Sequence, residues 1–187
     1  HQALAMQPLL VVVAFIDEDL DRSLTAYRHV EGFGKPTFEL EDGALRQRTP
    51  GDAPHPALSF LEHHSVLWSA SRHLVRRIGH HVPIGDWWSR NAAIFRAILD
   101  EGRRAGAPIL FVRLPSKSWR AFPSLNALMA EENAHWLDLG SPASRPGHAI
   151  HFADDGHIDA AGHAFVAEAL LAWMEAELPG SDRSGID

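Results

Sequence analysis

Apolar positions follow two different periods along this chain. Leu9 to Ile16 is a short, unbroken, largely β-branched run, with Pro8 before it and Asp17-Glu18-Asp19 after it. Such a run reads as a strand buried on both faces, the pattern of a parallel sheet. Ile109 to Val112 reads as a second buried strand, closed by Leu114-Pro115, and Trp136 to Leu139 as a third, shorter one. Other segments carry helical spacing. Within Asp86 to Gly106, the residues Ala93, Ile94, Ala97 and Ile98 form an apolar stripe, with Asp86 placed to cap the helix and Gly106 to end it. Ala57 to Ile78 suits one or two amphipathic helices, and Leu125 to Asn133 a short one. Ala160 to Leu178 predicts the last helix, with Phe165, Val166, Ala169, Leu170 and Trp173 on one side. Thr37 to Leu40 and Ala44 to Arg48 flank Glu41-Asp42-Gly43 and predict a β-hairpin, because Asp-Gly favours the turn that joins two antiparallel strands. Thr49 to Pro56 is a proline-rich loop, and the polar stretch 179–187 is expected to be a disordered tail.

Strands alternating with helices imply crossover connections and a parallel sheet covered on both faces. The length of 187 residues fits one domain, here residues 1–178, with the hairpin near 37–48 as an insert. The absence of cysteine excludes disulfides, thiolate metal sites and a cysteine nucleophile. A formal net charge of −7 argues against nucleic acid or an anionic membrane surface as the main partner. Pro8 to Ile16, the longest apolar run, is too short to span a bilayer, for which about 20 residues are needed, and no basic segment precedes it as in a signal peptide. Arginine greatly outnumbers lysine and alanine is abundant, which fits a GC-rich bacterial coding sequence.

The richest chemistry lies in the segment from His151 to His163, after the third strand and running into the last helix. In open α/β sheets, ligands bind at the carboxyl ends of the strands, where such loops emerge. Asp154 lies three residues before His157. A carboxylate at that spacing can hold imidazole Nδ1, which leaves Nε2 to take a proton from a nucleophile.

The stretch Asp154-Asp155-Gly156-His157-Ile158-Asp159-Ala160-Ala161-Gly162-His163, with Val166-Ala167 and Leu170 after it, resembles the last signature block of the SGNH (GDSL-type) hydrolases. Pro8 to Ile16 followed by Asp17-Glu18-Asp19-Leu20-Asp21-Arg22 resembles that family's third block, and residues 34–43 resemble an insert of one bacterial branch. The resemblance implies a flavodoxin-like three-layer α/β/α sandwich. It also implies a serine ester hydrolase or acyl transferase that needs no metal or other cofactor and acts on a small-molecule, lipid or carbohydrate ester. Carried over by the motif, His157 is the general base and Asp154 its orienting partner.

The chain also departs from that pattern. It contains no Gly-Asp-Ser nucleophile block: Gly51-Asp52 and Gly85-Asp86 are followed by Ala53 and Trp87, and Gly180-Ser181-Asp182 has the wrong order. The family's second block is missing as well. Glu18 or Asp19 stands nearest the oxyanion-hole Asn of the third block, where a carboxylate would repel a developing oxyanion. The chain begins with His1, and the motif order predicts the C-terminal part of a longer hydrolase, inactive alone, its sheet lacking a first strand or two and its central edge exposed. Ser116 and Ser141 are the serines nearest strand ends, and neither carries the signature of a nucleophile elbow. Arg113, Ser116 and Lys117 follow the second strand at its carboxyl end and could face the site, and Trp87-Trp88 could line an acyl pocket or serve packing. Two rival functions follow from the same residues. One is a binding or scaffold module that has lost catalysis. The other is a metal-dependent hydrolase using His151, His157, His163 and Asp154.

Overall fold

The computed structural model describes residues 6–22, 27–28, 33–34, 37–48, 87–117, 120–144, 146, 149–153 and 157–178. The helices expected over 57–78, the loop over 49–56, the cap Asp86 and the tail 179–187 lie outside the described residues, as does Asp154. In chain order the elements are β1 (Val11–Phe15), α1 (Asp17–Arg22), β2 (Tyr27–Arg28), β3 (Phe33–Gly34), β4 (Thr37–Glu41), β5 (Ala44–Arg48), α2 (Trp87–Ala105), β6 (Ile109–Arg113), α3 (Pro123–Glu131), β7 (His135–Asp138), a 3₁₀ turn at Pro142–Ser144 and α4 (Ala160–Glu177). This is an α/β protein with a three-stranded parallel sheet and four α-helices among the described residues. The chain divides into two compact units. One holds residues 1–7 and 19–107, the other residues 8–18 and 108–187.

The second unit holds the parallel sheet, in the order β1-β6-β7. Val11 aligns with Ile109, and Phe15 with Arg113. On the other side, Leu110 aligns with His135 and Arg113 with Asp138. β6 has neighbours on both sides, and all five of its residues are buried. Leu110, Val112 and Leu139 form a core with Leu10, Leu114 and Leu137 around them, and α4 seats Phe165, Val166, Ala169, Leu170 and Trp173 upon it. The stripe expected along the last helix is the one that packs.

β1 differs from its expected burial. Val12 is 44% exposed and Ala14 is exposed as well. Both lie on the face that α4 covers, since they align with the core residues Leu110 and Val112. Among the described strands β1 pairs on one side alone, and the apolar face of α4 is seated over β6 and β7. A strand at an edge is covered less than its composition suggests. Leu9, two residues before β1, is 90% exposed.

The first unit is built on α2. Its carboxyl end closes with Gly106 at φ 66°, where the Gly106 N–H donates to the Arg103 carbonyl and the Ala107 N–H to the Gly102 carbonyl. That double bond pattern satisfies carbonyls which the helix leaves unpaired, and Gly tolerates the left-handed conformation it needs. Buried Asn91 donates to the carbonyls of Trp87 and Leu20, which fixes the end of α1 to α2. The β4–β5 hairpin forms as expected, with Asp42 and Gly43 both at positive φ in the turn. It lies against α2.

Candidate functional site

All three parallel strands end in chemistry-bearing residues at the same level. Arg113 closes β6, Asp138 closes β7, and Asp17 follows β1 two residues beyond Phe15. The Arg113 guanidinium donates from Nε to Asp17 Oδ1 at 2.7 Å and from Nη2 to Asp17 Oδ2 at 2.8 Å, a bidentate pair. Its Nη1 reaches Asp138 Oδ2 at 3.3 Å, and Nη2 also donates to the Arg120 carbonyl. The Arg120 N–H donates to Asp17 Oδ2 at 2.8 Å. Arg113 and Asp17 are 2% and 1% exposed, so the pair lies wholly out of water. Phe122 places its ring 5.3 Å from both the Arg113 and the Arg120 guanidinium carbons.

Asp138 carries the cluster into the next loop. Its Oδ1 accepts from the Gly140 N–H at 3.0 Å and the Ser141 N–H at 3.1 Å, and its carbonyl accepts from Ser144 Oγ at 2.7 Å. A Cβ on Gly140 would sit 3.1 Å from the Leu114 carbonyl oxygen and 3.2 Å from Arg113 Nε, so the backbone passes tightly over the arginine. Of the two serines nearest strand ends, buried Ser116 donates to both oxygens of Glu18 at 3.2 Å, and Ser141 Oγ accepts from the Ala143 N–H at 3.3 Å. Glu18, one of the two acids standing where the resemblance expects an oxyanion Asn, is held by Ser116. The other, Asp19, is half-buried on α1.

His157 stands on a tight hairpin that leads into α4. His151 and Ile158 bridge it, the Phe152 N–H donates to the His157 carbonyl at 3.2 Å, and the Asp159 N–H donates to the Ile150 carbonyl at 3.0 Å. Lys117, in the loop after β6, donates from Nζ to the Phe152 carbonyl at 2.6 Å and to the Ala153 carbonyl at 3.2 Å. The first arm of the hairpin is thereby tied to the loop that follows the central strand, and His157 is exposed. Asp159 then caps α4, accepting from the Gly162 N–H at 2.9 Å. Gly162 fits because a Cβ there would come within 2.4 Å of the Ile150 carbonyl oxygen and 2.7 Å of Ile158 Cβ.

Of the two motif residues, His157 is exposed and its carbonyl accepts from Phe152, while Asp154 falls outside the described residues. His163 is exposed in the first turn of α4, its N–H donating to the Asp159 carbonyl at 2.9 Å. His151 is half-buried, and its Nε2 has no hydrogen-bond partner among the described residues. No group of three His, Asp or Glu side chains among the described residues could hold a metal ion. Trp87 and Trp88 open α2, with ring centroids 6.1 Å apart. The pairing of Arg113 with Asp17 and Asp138 is the feature that sequence reading misses. The signal for it was a charged residue at or just past the end of each apolar strand. No helix of the described residues is long and apolar enough to cross a membrane. No protein-family model, curated protein or solved structure matches this chain.

Proposed function

We propose that this chain is the C-terminal part of an SGNH-type serine ester hydrolase or acyl transferase, with the three-layer α/β/α arrangement of that class. In the intact protein a serine outside residues 1–187 attacks the ester carbonyl. His157 accepts the hydroxyl proton and later returns it to the leaving alcohol. Asp154 holds the imidazole and stabilises its charged form. The observation that carries this reading is the Lys117 clamp, which ties the segment just before the Asp154–His157 motif to the loop after the central strand, with His157 exposed. Such loops are where open α/β sheets do their chemistry. The strand order supports it further: among the described strands β1 pairs on one side alone, which leaves room in the order for a further strand that brings the serine to the same edge.

The test uses an aryl acetate ester and two proteins. The 187-residue chain is expected to be inactive. A longer product of the same gene carrying Gly-Asp-Ser ahead of His1 is expected to turn over. His157→Ala in that longer protein should lower kcat by roughly 10⁴. Its folding stability should move by less than about 0.5 kcal/mol, because the side chain is exposed. Serine-dependent turnover by the 187-residue chain alone, or full activity of the His157→Ala protein, would overturn the assignment.

A further inference from the structure

A cleft of about 500 Å³ lies between the β4–β5 hairpin and α2, wholly within the first unit. Its size is that of a small-molecule site. The hairpin contributes Leu40 and Leu45, and α2 contributes Trp88 together with an alanine floor. Arg96 and Asp100 lie about two and three turns beyond Trp88 on the same helix and supply polar groups to the same cleft. Arg103 Nη1 donates to Asp100 Oδ1 at 3.0 Å, which orients that carboxylate.

The chemistry of the lining selects among ligand classes. An acyl chain wants walls that are apolar nearly throughout, and here the lining is divided between apolar and polar groups. A strongly anionic ligand would meet Asp100, and a cationic one would meet Arg96. A neutral ligand with many hydroxyl groups satisfies both, since each hydroxyl donates to a carboxylate or accepts from a guanidinium. The C–H face of a sugar ring is apolar with slightly positive hydrogens, which suits the negative face of an indole. We propose that this cleft binds a neutral saccharide, with Trp88 as the stacking platform and Asp100 and Arg96 as its hydrogen-bonding groups. This site stands apart from the ester reading, because it needs neither His157 nor a serine.

The experiment is saturation-transfer NMR and calorimetry of the 187-residue chain with a panel of neutral trisaccharides from glucan, mannan, galactan and chitin, and with laurate as the apolar comparator. At least one trisaccharide is expected to bind with a Kd of about 1 mM or tighter. Trp88→Ala should weaken that binding at least about tenfold, and Trp88→Phe much less. Asp100→Ala, at an exposed helix position that leaves folding intact, should also weaken it severalfold and guards against misfolding of the tryptophan variant. Binding of laurate with no trisaccharide bound would overturn the proposal. So would trisaccharide binding unchanged in Asp100→Ala and Trp88→Phe/Asp100→Ala proteins, or no binding by any panel member.

Discussion

A guanidinium and a carboxylate that share two hydrogen bonds at 2% and 1% exposure form an unusual pair to find at the end of a small sheet. Burying two charges costs several kcal/mol each, and only excellent geometry offsets it. Here Arg113 meets that condition with two carboxylates and a backbone carbonyl around it. Arg113→Met is expected to destabilise the fold by about 3–5 kcal/mol, because it strands Asp17 as a buried, uncompensated charge. Adding Asp17→Asn to that variant should recover part of the loss, since the stranded charge is then gone. Urea denaturation of the two variants tests this, and a double variant less stable than the single one would refute it. The residues of this cluster were visible in the sequence as charges at strand ends, but their pairing was not. Asp17 and Arg113 are 96 residues apart, and no local period links them. His157 was legible for the opposite reason, because the Asp-x-x-His spacing lies within one short segment.

At the scale of elements, helix propensity and packing make opposite forecasts for Gly162. Alanine is the better helix former by about 1 kcal/mol, so Gly162→Ala on propensity alone would stabilise α4. The structure reverses that sign, since the added Cβ would press on the Ile150 carbonyl oxygen at 2.4 Å. Gly162→Ala is expected to lower stability by roughly 1–3 kcal/mol and to displace the His157 hairpin from the start of α4. Thermal melts measure the first effect, and chemical shifts of the His157 ring report the second. A stabilised variant would show that the hairpin yields at no cost. The main elements were legible in outline. The hairpin, α2, β6, β7 and α4 follow from turn chemistry and periodicity to within a residue or two at their ends. The two-residue strands β2 and β3 and the one-and-a-half-turn α1 carry too few residues to show a period. The burial of β1 was misjudged because composition reports what a strand prefers and not how many neighbours it has.

At the scale of the molecule, β1 has one strand neighbour, β6, among the described residues, and that bears on behaviour in solution. Val11 to Phe15 carries no charge or proline to discourage edge pairing, and Leu9 just before it is exposed. The 187-residue chain is expected to self-associate through this edge. Val12→Lys should suppress that while changing stability by less than about 0.5 kcal/mol, given the exposure of Val12. Sedimentation velocity across a concentration series measures it, and association unchanged by the lysine would place the contact elsewhere. The sheet's connectivity has a kinetic consequence as well. β6, α3 and β7 follow one another directly, so they can assemble by closing short loops. β1 must find β6 across nearly a hundred residues, and the salt link that locks it there joins positions 96 apart. Long-range parallel pairing of this kind is slow. Docking is therefore ordered in time against the order of these three strands: β1, which comes first among them along the chain, is the last to dock, and until it does, one edge of β6 stands unpaired.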